Sequence, residues 1–269
     1  MGSSRYCPAD VQQTVKRAIY ISIAVIATAY VGLCAAMFAL QRSLLYYPQP
    51  RRVTTPASTM ALHVVGAELV VTVRAHSGPK AILYFGGNGE DVSSNLQSFS
   101  AAFPDHALFL LHYRGYGGST GSPTEKANHN DAAALFRAVY AQHPQVAVIG
   151  RSLGSGVAVR IASENPVSRL VLVTPYDSIE AIAAAQYPYL PVKWLLLDRY
   201  ESWKYAPRIR IPTTVIAAQN DEVIPRASTE KLFARFPAGV ASMTLIEGSD
   251  HNDIGTKPEY LKTMQAALH

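Results

Sequence analysis

Ser152 stands in Gly150-Arg151-Ser152-Leu153-Gly154, a G-x-S-x-G segment that ends the β-branched run 146–149 and opens a small-residue helical pattern. Strand, sharp turn and helix, in that order, form the context in which such a serine acts as a nucleophile. Glycines two positions either side are needed because a side chain there would collide with neighbouring backbone. The turn would hold Ser152 strained, with Oγ raised above the strand end. An ordinary helix cap after a strand would read the same, so the other groups the chemistry requires must be found. A serine is a weak nucleophile until a base takes its proton, and the base needs a carboxylate to orient it. On a strand–helix fold the order is serine, acid, histidine, each in a loop after a strand. Asp221 follows the apolar run 213–217, and His251 follows the run 243–246.

The competing residues fit less well. His63, His76, His106 and His112 precede Ser152; His129 and His143 belong to the helix that follows the strand ending at His112; His269 is the last residue. Glu222 is the alternative acid. Asp250 and Asp253 read as turn residues around His251 rather than as metal ligands, and Asp177 and Asp198 fall in an irregular stretch. For the developing oxyanion, backbone N–H groups are expected from Leu153 and from Asn88, the latter in the glycine-rich Gly86-Gly87-Asn88-Gly89 after the run 81–85. That loop is not a dinucleotide fingerprint, since Val92 stands where a third glycine is needed, and no G-x-x-x-x-G-K-[ST] occurs. No zinc spacing surrounds Cys7 or Cys34, so neither a metal nor any other cofactor is expected.

The elements that must position these groups alternate strand and helix along most of the 269 residues. Strands are expected over 62–65 and 68–76 as a hairpin, then over 81–85, 107–112, 146–149, 170–173, 213–217 and 243–246. Helices are expected over 90–103, 124–142, 153–163, 228–236 and 258–268. Apolar strands separated by helices imply an α/β fold with a mostly parallel sheet covered on both faces. The stretch 176–210, rich in Tyr, Pro, Trp and Leu, reads as a short cap-like insert. Tyr187, Tyr189 and Trp194 could line a substrate pocket there, or simply pack on the sheet.

Before the catalytic region, a tail over 1–17 precedes an uncharged run over 18–40. As a helix this run is about 34 Å long, enough to cross a hydrocarbon core of about 30 Å. It exceeds the apolar region of a cleaved signal and is read as a single-pass signal anchor. Positive charges tie across it; Lys16 and Arg17 abut it most closely, which leans the N-terminus inward and residues 61–269 to the non-cytoplasmic side. Residues 41–60 read as a linker in which Tyr46 and Tyr47 suit either the headgroup zone or packing on the first strands. The net charge of +5 is scattered, which excludes a nucleic-acid surface.

The segments QRSLLYYPQP, LYFGGNGED, YRGYGGSTGSPTE, GRSLGSGVAV, TPYDSIEAIAAAQYPYLPV, QNDEVIP and GSDHND resemble, in this order and spacing, the BEM46-like branch of membrane-anchored α/β-hydrolases. That branch includes the α/β-hydrolase domain 13 and 17 type proteins. The resemblance covers about residues 41–268. It implies an α/β-hydrolase fold with Ser152 as nucleophile, Asp221 as acid and His251 as base. It also implies hydrolysis of acyl or lipid-derived esters or thioesters. The family usually carries His-Gly where this chain has Gly86-Gly87.

Overall fold

The computed structural model describes residues 8–52 and 59–268. The chain forms two compact units, Met1–Gln41 and Arg42–His269. Helix α1, Pro8–Leu45, makes up the described part of the first and has its last turn in the second; it is longer at both ends than the apolar run. Its segment Gln12–Leu45 has a mean hydropathy of 2.3 and is long and apolar enough to span a bilayer. Cys7 lies outside the described residues, and Cys34 is a free thiol.

The second unit is organised around an eight-stranded sheet in the order β1-β2-β4-β3-β5-β6-β7-β8. β1 (Thr59–Val64) and β2 (Ala67–Arg74) form the expected antiparallel hairpin, which joins β4 (Ala107–Leu111) antiparallel. The rest is parallel: β3 (Lys80–Phe85), β5 (Gln145–Arg151), β6 (Arg169–Val173), β7 (Thr213–Ala218) and β8 (Ala241–Ile246). Parallel strands buried on both faces need apolar residues at successive positions, and β3 supplies them. Its Leu83 and Phe85 face a core shared with α3 (Glu125–Tyr140) and α4 (Leu153–Glu164), whereas Ile82 and Tyr84 face α2 (Leu96–Ala102) and α8 (Pro258–Leu268).

The expected helix over 90–103 is divided. Asp91 caps a 3₁₀ turn, Val92–Asn95, by accepting from Ser93 N at 3.1 Å, and α2 follows. Strand order reverses between β3 and β5, whose ends are in register at Phe85 and Gly150. In sheets of this kind the crevice beyond the carboxyl ends at such a reversal is where ligands bind.

The insert forms α5 (Ile179–Gln186), α6 (Val192–Leu195) and two short 3₁₀ turns; α7 (Arg226–Phe233) follows β7. The insert closes at its own base, because Ile179 N and Glu180 N both donate to Arg199 O, at 2.9 and 3.2 Å. Tyr46, one of the two linker tyrosines, is buried in the core at 4% exposure, while Tyr47 is 48% exposed. Packing within the second unit is therefore the outcome for Tyr46. Its hydroxyl lies 3.0 Å from that of Tyr200 and 3.3 Å from the Asp198 carboxylate, which also accepts from Arg42 Nε at 3.1 Å.

Candidate active site

At the tip of β5 the backbone of Ser152 takes φ 50° and ψ −120°, a left-handed conformation that a side chain rarely adopts. Its neighbours enforce it. A Cβ on Gly154 would stand 2.0 Å from the carbonyl oxygen of Phe85, and one on Gly150 would stand 2.5 Å from that of Gly154. Only glycine lets α4 begin this close to β3. Ser152 N is held by Val173 O at 2.9 Å, so the strained residue is also tied to β6. The N–H of Leu153 opens a helix of 12 residues, whose unsatisfied first amides and dipole favour negative charge.

The loop after β7 and the loop after β8 bring the other two groups. His251 Nε2 lies 2.9 Å from Ser152 Oγ, and His251 Nδ1 lies 2.9 and 3.0 Å from the carboxylate oxygens of Asp221. Ser152 and His251 are each 7% exposed. Asp221 Oδ1 also accepts from Val223 N at 3.0 Å and Ile224 N at 2.7 Å. These donors fix the carboxylate's orientation toward the imidazole. Glu222, the rival acid, is exposed. Asp250 and Asp253 are turn residues: Asp250 Oδ1 accepts from Asn252 N and Asp253 N, while Asp253 Oδ1 accepts from Asp250 N. They shape the backbone on either side of His251.

Over the serine, Gly87 comes so near that a Cβ on it would lie 3.6 Å from that of Ser152. The Gly87 N–H donates to Glu90 Oε2 at 2.8 Å, so Asn88, one residue on, carries the next N–H of the loop. A side chain on Gly86 would meet Val92 Cγ1 at 2.5 Å and Glu90 Oε2 at 3.1 Å, so a larger residue there would require both side chains to move.

Glu90 and Arg151 carry no motif signal, yet both enter the site. Glu90 accepts from Tyr84 Oη at 2.7 Å, Asn95 Nδ2 at 2.6 Å and Arg151 Nη1 at 3.1 Å, in addition to Gly87 N. Arg151 also donates to the carbonyl of His251, at 3.0 Å. Burial is the largest influence and opposes its charge, but the Glu90 carboxylate together with the Tyr84 and Tyr260 hydroxyls outweighs it and raises the guanidinium pKa. One ion pair thus links the glycine loop, the elbow and the histidine loop. No sequence period could have marked it, because its partners lie 61 and 100 residues away from Arg151.

A cavity of about 490 Å³ opens at Ser152 and His251, walled by Gln49, Pro50, Arg52, Asn88, Glu90, Ser94, Asn95, Ser98 and Asn252 among others. Tyr187, Tyr189 and Trp194 do not line it, contrary to the substrate-pocket expectation. Because the insert folds back on its own base, Tyr189 and Trp194 are left 88% and 83% exposed and Tyr187 39% exposed.

Comparison with known proteins bears on the fold and the family. Residues 80–201 match a family model described as the alpha/beta hydrolase fold. An uncharacterized protein of Mycobacterium tuberculosis is 31% identical over 253 residues, spanning 86% of this chain and 87% of its own length. The alpha/beta hydrolase domain-containing protein aho-3 of Caenorhabditis elegans is 29% identical, covering 70% of this chain and 57% of that protein. Protein bem46 of Schizosaccharomyces pombe is 27% identical, covering 64% and 61%. Among solved structures, the Pyrococcus furiosus esterase Pf2001 superposes with a TM-score of 0.64 at 17% identity, over 83% of this chain and 98% of that one. The enol-lactonase of Burkholderia xenovorans gives 0.61 at 16% identity, over 78% and 99%. At such identities the likeness shows the fold alone. Strand order, elbow and relatives together make this chain a member of the α/β-hydrolase family, in its BEM46-like branch.

Proposed function

We propose that this protein is a membrane-anchored serine hydrolase that cleaves carboxylic esters or thioesters through an acyl-enzyme. The observation that carries the reading is His251, placed 2.9 Å from Ser152 Oγ on one side and 2.9 Å from Asp221 on the other. Ser152 Oγ attacks the acyl carbonyl while His251 Nε2 takes its proton, and Asp221 orients and stabilises the imidazolium. The N–H groups of Leu153 and Asn88 receive the oxyanion. Collapse of the tetrahedral intermediate breaks the bond to the alcohol or thiol, which leaves with the proton from His251. Water then attacks the acyl-enzyme by the same route and releases the acid. No cofactor enters these steps.

Helix α1 supports anchoring, and the exposed Tyr189 and Trp194 are residue types favoured at a bilayer interface. Lys16 and Arg17 beside the apolar run lean the catalytic unit to the non-cytoplasmic side. The reading is tested by a fluorophosphonate probe on the full chain in membranes, with Ser152→Ala beside it. Labelling of the parent alone is expected, with a loss of several orders of magnitude in kcat for the variant. A parent rate of nitrophenyl ester hydrolysis in Ser152→Ala would refute the assignment. A panel of acyl esters, thioesters and aminoacyl amides then ranks substrate classes, and preference for the amides would overturn esterase in favour of peptidase.

A further inference from the structure

We infer that residues 45–52, the stretch leaving the C-terminal end of α1, act as a positioning strap for the oxyanion loop; the inference rests on Asn88 N–H serving as an oxyanion donor. Asn88 is flanked by Gly87 and Gly89, so its own sequence leaves the backbone free to turn. The strap removes that freedom from two sides. The Asn88 carbonyl accepts from Tyr47 N at 3.0 Å and from Tyr116 Oη at 2.6 Å. Tyr116 Oη in turn accepts from Tyr47 N at 2.9 Å, closing a three-membered cycle. On the other side, the Asn88 side-chain amide donates to Leu45 O at 3.0 Å.

The strap itself is fastened along its length. Tyr46 is buried beside Tyr200. Gly117 N donates to Gln49 O at 2.9 Å, and Arg52 N donates to Asp91 Oδ2 at 2.9 Å. Gln49, Pro50 and Arg52 then continue as a wall of the cavity. A hydrogen-bond donor that must meet a developing charge is useful only when pre-positioned, because reorienting it during the reaction forfeits the stabilisation. The segment that emerges from the anchor therefore sets the aim of the catalytic amide. Tyr116 and the Asn88 side chain are positioning groups that touch no reacting atom.

The test uses the full chain in detergent, with Tyr116→Phe and Asn88→Ala, each of which keeps the Asn88 N–H; the first removes one of the two donors to the Asn88 carbonyl and leaves Tyr47 N, the second removes the tie to Leu45 O. Loss of a whole oxyanion donor costs about 10²–10³ in kcat, so loosening one should cost roughly ten- to hundredfold. Expected is that fall in kcat toward a nitrophenyl ester with KM within about twofold, since ground-state contacts stay intact. Fluorophosphonate labelling should slow in parallel. If Tyr116→Phe unfolds, Asn88→Ala alone decides. Parent kcat in both folded variants, or a loss confined to KM, overturns the strap while leaving the triad reading in place. Failure of the probe to label the parent overturns both.

Discussion

Replacing Arg151, the unspecified second residue of G-x-S-x-G, with methionine probes a connection that ties the glycine loop, the elbow and the histidine loop. Methionine keeps the aliphatic stem and removes the guanidinium that donates to Glu90 at 3.1 Å and to His251 O at 3.0 Å. The two charged side chains are 19% and 12% exposed, so solvent can replace little of what is lost. Breaking a buried pair from one side costs about 3–5 kcal/mol. Glu90 keeps three other donors, from Tyr84, Gly87 and Asn95, which places the loss at the low end, about 3 kcal/mol. For a unit of this size that lowers the melting temperature by roughly 6–12 °C. The His251 carbonyl also loses its donor, and a catalytic group displaced by about 1 Å costs about 10²-fold in rate. The assay is a thermal melt plus ester kinetics on Arg151→Met, Glu90→Gln and the double variant. A coupling energy of about 1–3 kcal/mol is expected between the two sites. Additive effects with a melting temperature within about 1 °C of the parent would refute the linkage.

Two further predictions concern His112, away from the triad, and Gly154, in the elbow itself. Burial pushes the His112 imidazole down to about 4, with Asp91 opposing and Arg51 reinforcing the shift. The unfolded chain therefore takes up this proton first as pH falls; the contribution is fully present above about pH 6.5 and is lost progressively toward pH 4, about 3 kcal/mol in all. Denaturant midpoints should drop across that window and flatten in His112→Gln; a parent curve without the drop would contradict the assignment. Gly154→Ala would place a Cβ 2.0 Å from Phe85 O and 2.6 Å from Gly86 O, both backbone atoms. Because strand or helix must shift, it should cost about 1–3 kcal/mol of stability or more and abolish probe labelling; labelling at the parent rate would show that the elbow has room.

Much of this arrangement was legible because the relevant signals are local. Apolar runs marked the parallel strands, two of them ending at Gly86 and Gly150, and the loops after three of the later strands placed Ser152, Asp221 and His251 in the order in which they meet. The extent of α1 was less legible. Hydropathy measures only where the helix is apolar, whereas helical hydrogen bonding runs on through Gln41, Arg42 and Ser43 to Leu45. Tyr46 gave no decisive signal, because a tyrosine with a buried hydroxyl partner reads the same as one at a membrane surface. Its partners, Asp198 and Tyr200, lie more than 150 residues away. The exposure of Tyr189 and Trp194 was missed for the converse reason: apolar composition says that a side chain prefers burial, not that the insert folds so as to provide it.

The glycines of the elbow have different futures under sequence drift. Gly150 and Gly154 face carbonyl oxygens, which every residue type supplies, so no change elsewhere in the sequence makes room for a side chain there. Gly156 instead faces the Tyr176 hydroxyl, 2.4 Å from where its Cβ would stand, with the ring carbon behind it at 3.2 Å. A hydroxyl belongs to one side chain and can be removed. Tyr176→Phe is the first change that Gly156→Ala needs; it gives up the hydrogen bond from Tyr176 Oη to Leu153 O at 2.9 Å, and the Tyr200 ring, 3.1 Å from the new Cβ, must still give by a few tenths of an ångström. Positions 156 and 176 should therefore change together among descendants of this chain, while positions 150 and 154 remain glycine whatever surrounds them.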